Sequence, residues 1–187
     1  MMHNDDPNAE KMWMPKGSFW TQPAGEEHIT AANGDTNLIY LEIDSGPYLV
    51  QPSSEKFDNG ERPLNLHSTN IVWLDHKESH HINTKGVQIA SLWGGEAQNE
   101  LGGKLLKMPA GFKCEIVSSS PEFRAVVIQG NIRYQSKEYP EQQSLTPGSY
   151  VSSTGKFVHT LSVPDDQEVT LYIRSDKHFL VNSNPDL

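Results

Sequence analysis

The sequence predicts an all-β chain, a sandwich or barrel, and three observations carry that expectation. The apolar segments are short and rich in β-branched and aromatic residues. Gly, Pro, Asn and Asp separate them, and 14 glycines and 12 prolines in 187 residues suit many turns. No long stretch repeats apolar residues at i, i+3, i+4 and i+7, the period a helix would need.

The elements follow in chain order. The opening MMHNDDPNAEK is acidic and polar, so it reads as a loose end rather than a signal peptide. PKGSFWTQPAGEEH (15–28) is a glycine- and proline-punctuated turn unit, and NLIYLEID (37–44) is a strand. Residues 51–64, QPSSEKFDNGERPL, read as a linker or surface loop. Strands are then expected at NIVWLD (70–75), VQIASLW (87–93), FRAVVIQGNIRY (123–134) and EVTLYIRS (168–175), and the tail NSNPDL is a second loose end. Trp13, Phe19, Trp20, Trp73 and Trp93 are expected in the packing of these strands.

The chain also resembles itself. GSFWTQPAGEEHITAANGDTNLIYLEIDSGPYLV (17–50) and GSYVSSTGKFVHTLSVPDDQEVTLYIRSDKHFLV (148–181) share an ordered set of features. Each begins Gly-Ser-aromatic, carries a His eleven residues after that Gly, and ends aromatic-Leu-Val. In the second copy strands and turns precede Gly148, whereas only 16 residues precede Gly17. The expected organisation is a partial unit at 1–50, the linker at 51–64 and a complete barrel at 65–187. The first unit is expected to open in its middle.

Bulk properties narrow the function. Lys and Arg number 15 against 24 Asp and Glu, a net charge of −9. Such a surface repels phosphate backbones and anionic lipid, which argues against nucleic-acid and membrane partners. The single Cys114 has no partner for an intrachain disulfide, and no apolar run approaches a membrane span. A cytoplasmic location is the expectation.

The stretches GSFWTQPAGEEH, GVQIASLWG (86–94), LLKMPAGF (105–112) with FRAVVIQG (123–130), and PGSYVSSTGKFVH (147–159) resemble the cupin superfamily. More narrowly they resemble its two-domain bicupins and the family called domain of unknown function 4437, over nearly the whole chain. The first stretch matches the second cupin motif in spacing, from Gly17 through Pro23 and Gly25 to His28. The resemblance implies RmlC-like jelly-roll barrels, double-stranded β-helices often with a metal centre in the mouth. It supplies no biochemical role.

A cupin centre takes two His from a His-x-His strand, a Glu from the next strand and the second-motif His. Counted from Gly111 with five intervening residues, those positions in the second unit are Val117, Ser119 and Phe123, or Arg124 with one more residue, and His159. Only His159 keeps the ligand type. Glu115, two residues before Val117, is placed on the same inward face. The expectation is a pocket for a small organic ligand lined by Glu115, Ser119, Phe123, Arg124, Tyr150 and His159. A hydrogen-bonded His–Glu or His–Ser pair is favoured there over a metal. The first unit has the reverse pattern: His28 stands in a ligand position, no His-x-His precedes Gly17, and His3 alone lies nearby. There the resemblance implies a divalent metal (Zn, Fe, Ni or Mn) whose other ligands are not in this chain. The alternative, favoured for the chain as it stands, is that Pro23-Ala24-Gly25 builds a turn with His28 a half-buried polar residue.

LDHKESHH (74–81) gathers Asp75, His76, Glu78, His80 and His81, the side-chain types of a zinc or nickel site, in what reads as a solvated turn. The sequence has no Gly-x-Ser-x-Gly elbow and no phosphate loop, and Cys114 reads as a small buried residue. Three readings follow: a degenerate binding or assembly module, a metal-dependent oxygenase centred on the first unit, and a ligand-sensing regulatory module. Strands of a partial barrel would leave unpaired edges, so a homodimer is expected in which residues 10–50 contribute to the interface or pack tightly against the second barrel.

Overall fold

The computed structural model describes residues 2–4, 8, 10–43, 45–95, 100–176 and 178–184. Parts of the two expected loose ends, and Asp44 of the strand expected at 37–44, lie outside them. The chain divides into two compact units, Met1–Ile71 and Val72–Leu187.

The first unit holds short strands: β1 (Met2–Asn4), β2 (Met12–Trp13), β3 (Phe19–Trp20), β4 (Ile29–Ala31) and β5 (Asn65–Leu66). β2, β1 and β4 form an antiparallel sheet, and β3 pairs with β5. Residues 51–64 are tied back onto the turn at 21–27. Phe57 N donates to Gly25 O at 2.9 Å and Thr21 N to Leu64 O at 2.9 Å, and Lys56 Nζ bonds Glu27 Oε2 at 2.7 Å. Gly25 has φ +80°, and its α-carbon lies so close over the Phe57 ring that no side chain fits there.

The strand expected at 37–44 does not form among its described residues. Leu38 is 66% exposed, Leu41 58% and, beyond the segment, Val50 80%. The segment is rich in β-branched and aromatic residues, but no described neighbour offers it a ladder, and composition alone does not make a sheet. Trp13, expected in the packing, is also exposed.

The second unit contains β6 (Gln88–Gly94), β7 (Gly102–Met108), β8 (Lys113–Ser118), β9 (Phe123–Gln129), β10 (Ile132–Gln135), β11 (Gln143–Leu145), β12 (Tyr150–Ser153), β13 (Phe157–Ser162), β14 (Val169–Ser175) and β15 (Phe179–Ser183). They build two five-stranded antiparallel sheets, ordered β11-β10-β13-β8-β15 and β12-β9-β14-β7-β6. From β7 onward every connection but the β10–β11 hairpin crosses between the sheets. That path is the jelly roll. The stretch at 70–75 contributes only a bridge, Leu74 to Ile89, rather than a full strand.

The core lies between the sheets. Leu106, Met108, Ile116, Phe123, Ile173 and Val181 are each almost fully buried. Each such side chain contributes roughly 1.5–3 kcal/mol through removal from water. Trp93 sits at the edge and donates from Nε1 to the Tyr172 hydroxyl at 2.9 Å. Lys107 lies over the Trp73 ring, 3.9 Å from its centroid.

The turn between β9 and β10 depends on Gly130, at φ +78°. A Cβ there would run into the Glu168 carbonyl and come within 2.9 Å of Val169 Cγ2. Gly155 has a similar φ of +66° but nothing within 4 Å. Gly130→Ala should therefore destabilise by roughly 2–4 kcal/mol, and Gly155→Ala by only about 1 kcal/mol. Urea unfolding of the two variants checks this, and equal losses would remove the steric argument.

Candidate functional site

His159, in the middle of β13, is 1% exposed and pairs in register with Ile116 of β8. The strand phase turns it into the barrel, because Phe157, His159 and Leu161 are buried while Val158 faces out. Both ring nitrogens meet hydroxyls. Ser153 Oγ of β12 lies 3.0 Å from Nε2, and the Tyr134 hydroxyl of β10 lies 3.0 Å from Nδ1. A neutral imidazole has one N–H to donate and one lone pair to accept, and two hydroxyls match that pair in either tautomer.

Aromatic rings close the surroundings. Phe123 stacks on His159 with centroids 4.7 Å apart and planes at 27°, and Phe157 lies at 4.7 Å. Burial pushes the His159 imidazolium down to a pKa of about 4, so the ring is neutral at physiological pH. Burial likewise raises the Tyr134 phenol.

The structure corrects the frame of the expected site by one residue. On β8 the buried positions are Cys114, Ile116 and Ser118, while Val117 is 38% exposed. The inward residues of β8 nearest the two expected His positions are therefore Ile116 and Ser118, with four rather than five residues between Gly111 and Ile116. Phe123, expected at the carboxylate position, and His159 both face this interior and stack on one another. One imidazole and a hydroxyl among apolar side chains do not fit a divalent transition metal.

Of the six residues expected to line the pocket, only Phe123 and His159 meet. Glu115 shares a face with Val117, but that face is the outer one, where it accepts from Asn184 Nδ2 at 3.0 Å. Arg124 is ion-paired with Glu122 and Tyr150 is half exposed, each on the outward phase of its strand. Ser119 is exposed beyond the end of β8. Alternation explains all four, since a neighbour of an inward residue points away from it. Tyr134, Ser153 and Phe157 were not anticipated. Tyr134 carries the one readable signal, standing two residues after Ile132 on a buried face.

His28 is half-buried, with Nδ1 3.4 Å from the Glu26 carbonyl oxygen. The cluster of metal-ligating side chains found among the described residues is His80, His81 and His178, which excludes His28. Asp75 and Glu78 instead shape their own turn, accepting from Lys77 N at 2.7 Å and Asp75 N at 3.1 Å. Cys114 is fully buried beside Met108 Sδ at 3.7 Å, and burial pushes its thiol up to about 12, which removes it as a nucleophile.

Outside the barrel, a groove of about 900 Å³ runs over the sheet that carries β8, β13 and β15. Val117, Val158 and Leu180 are cross-strand neighbours and form its apolar floor. Lys137, Lys156 and Ser119 supply polar groups along it.

Two five-stranded sheets joined by crossing connections around one core define a cupin-type jelly roll. The chain belongs to the family described as domain of unknown function (DUF4437), whose profile matches residues 1–182. No curated protein matches the sequence. Similar solved structures include a cupin-2 domain protein from Rhodospirillum rubrum, at 12% identity over 62% of this chain and 76% of that one, TM-score 0.47. KdgF from Halomonas sp. is 15% identical over 57% and 89%, TM-score 0.44. Salicylate 1,2-dioxygenase from Pseudoaminobacter salicylatoxidans is 13% identical over 56% and 31%, TM-score 0.44. These identities are too low to carry residue roles onto this chain. No helix among the described residues is long and apolar enough to cross a membrane.

The buried imidazole has a pH consequence. Its folded pKa of about 4 lies below the ordinary value of 6.5, so the unfolded chain binds the proton more readily. Stability from this group is complete above pH 6.5 and is lost as pH falls through 6.5 toward 4. The loss approaches about 3 kcal/mol. Urea unfolding of wild type and His159→Gln at pH 7 and pH 5 should show a shallower slope in the variant. Parallel slopes would mean that the ring is already accessible to protons.

Proposed function

We propose that the barrel formed by the second unit is a non-catalytic binding module. Its interior is closed by the His159 network, and its ligand site is the outer groove. The carrying observation is that both nitrogens of His159 lie 3.0 Å from hydroxyls while Phe123 stacks on its ring. An interior of that kind is packed and satisfied, with no ligand atom aimed at a substrate.

The groove has the usual character of a small-molecule site, an apolar floor with a few directing polar groups. Its floor of Val117, Val158 and Leu180 beside Lys137 and Lys156 suits an organic molecule with an apolar body and a carboxylate or similar anion. Calorimetric titration with aryl and alkyl carboxylates should find binding that Val158→Asp abolishes and His159→Gln leaves intact. Binding lost in His159→Gln but kept in Val158→Asp would return the site to the barrel interior. The oxygenase reading places a divalent metal at His28. Metal bound at one ion per chain and lost in His28→Ala would favour it over the present one.

A second reading, assembly, has its own observation. Leu38, Ile39, Leu41, Ile43, Tyr48 and Leu49 are all exposed within one stretch of chain. Contiguous apolar surface of this kind marks association sites. The partner proposed is a second copy of this chain, because twofold homodimers are the commonest assembly. Light scattering on an eluting column should give twice the 20.9 kDa chain mass. Leu38→Ser/Leu41→Ser should shift it to the monomer, and a wild-type monomer at high concentration would exclude the dimer.

A further inference from the structure

We infer that His80, His81 and His178 form a binding site for one divalent transition-metal ion of the zinc class, distinct from the barrel interior. Their ligand nitrogens all lie within 4.8 Å of one another. The rings pack together, with centroids 4.3 Å apart for His80–His81, 4.4 Å for His80–His178 and 5.3 Å for His81–His178. Tetrahedral zinc with bonds of about 2.0–2.1 Å needs nitrogens roughly 3.3 Å apart. Small side-chain rotations, above all of exposed His80, bring the set to that spacing.

The site is built rather than incidental. His81 is 5% exposed and stacks on Phe179 at 4.5 Å and 24°. Its Nδ1 donates to the Phe179 carbonyl at 3.1 Å, which in the neutral ring puts the lone pair on Nε2. A backbone carbonyl behind a ligating His is the usual device for fixing tautomer and ring direction. The turn bearing His80 and His81 is laced to β15: Val181 N donates to His81 O at 2.9 Å and Asn83 N to Val181 O at 2.9 Å. The same strand is preceded directly by His178, so one backbone frame holds all three ligands.

The donors decide the ion. Three neutral imidazoles favour zinc, nickel or copper over magnesium or calcium, which need oxygen ligands. Asp75 and Glu78 are engaged in their own turn, so water or an exogenous ligand completes the coordination. His178 also lines the outer groove, which places the ion at the groove's rim.

Tag-free protein, stripped with chelator, should bind zinc chloride at one ion per chain by calorimetry. Cobalt(II) in its place should give the intense visible absorption of tetrahedral coordination. His80→Ala and His178→Ala should each weaken zinc binding at least tenfold, whereas His159→Gln and His28→Ala should leave it unchanged. His80 is exposed, so its variant keeps the fold, and a far-ultraviolet spectrum checks that. Tighter copper or nickel binding with the same residue dependence upholds the site. Failure to bind zinc at millimolar concentration, or triad variants that bind as the wild type does, overturns it. Loss of binding in His28→Ala alone does so too.

Discussion

The phase of each strand, which side chain faces the core and which faces water, is the constraint on which every other feature of the second unit depends. In β8 that phase sends Cys114, Ile116 and Ser118 inward and Glu115 and Val117 outward. A shift of one residue would bury a carboxylate and expose the core. The same alternation on β13 buries His159 and lifts Val158 to the surface. One strand pair thus makes both the closed interior and the floor of the outer groove.

The interior network follows from burial. An imidazole with almost no solvent contact needs partners for both nitrogens, and Ser153 and Tyr134 supply them from two other strands. A partner lost from such a network costs about 1–3 kcal/mol for the orphaned group. Phe123 and Phe157 exclude the water that would otherwise compensate. The arrangement locks β10, β12 and β13 together across both sheets, which gives His159 a packing role.

Much of the fold was legible in the sequence because its strands are short β-branched and aromatic runs bounded by turn residues. VQIASLW, FRAVVIQ and VTLYIRS became β6, β9 and β14. The residues at 37–43 have the same composition, yet a strand needs a neighbour, and no local pattern shows whether one exists. The phase of β8 was hidden for a different reason. In KCEIVS apolar side chains occur on both faces, Ile116 inward and Val117 outward, so hydrophobicity does not select the register. Tyr134 and His178 were missed because they reach their clusters through distant parts of the chain, and spacing arguments see only near neighbours.

Ile82 and Val181 form a parallel bridge between the first and last segments of the second unit. His81 and Phe179, which meet beside it, are 98 positions apart in the chain. The two ends therefore hold each other, and neither can fray without releasing the other. Closing so long a loop costs entropy that is recovered only when the sheets between are in place. The clasp is a late contact in assembly and a shared one in opening, which makes this margin of the barrel a single cooperative element.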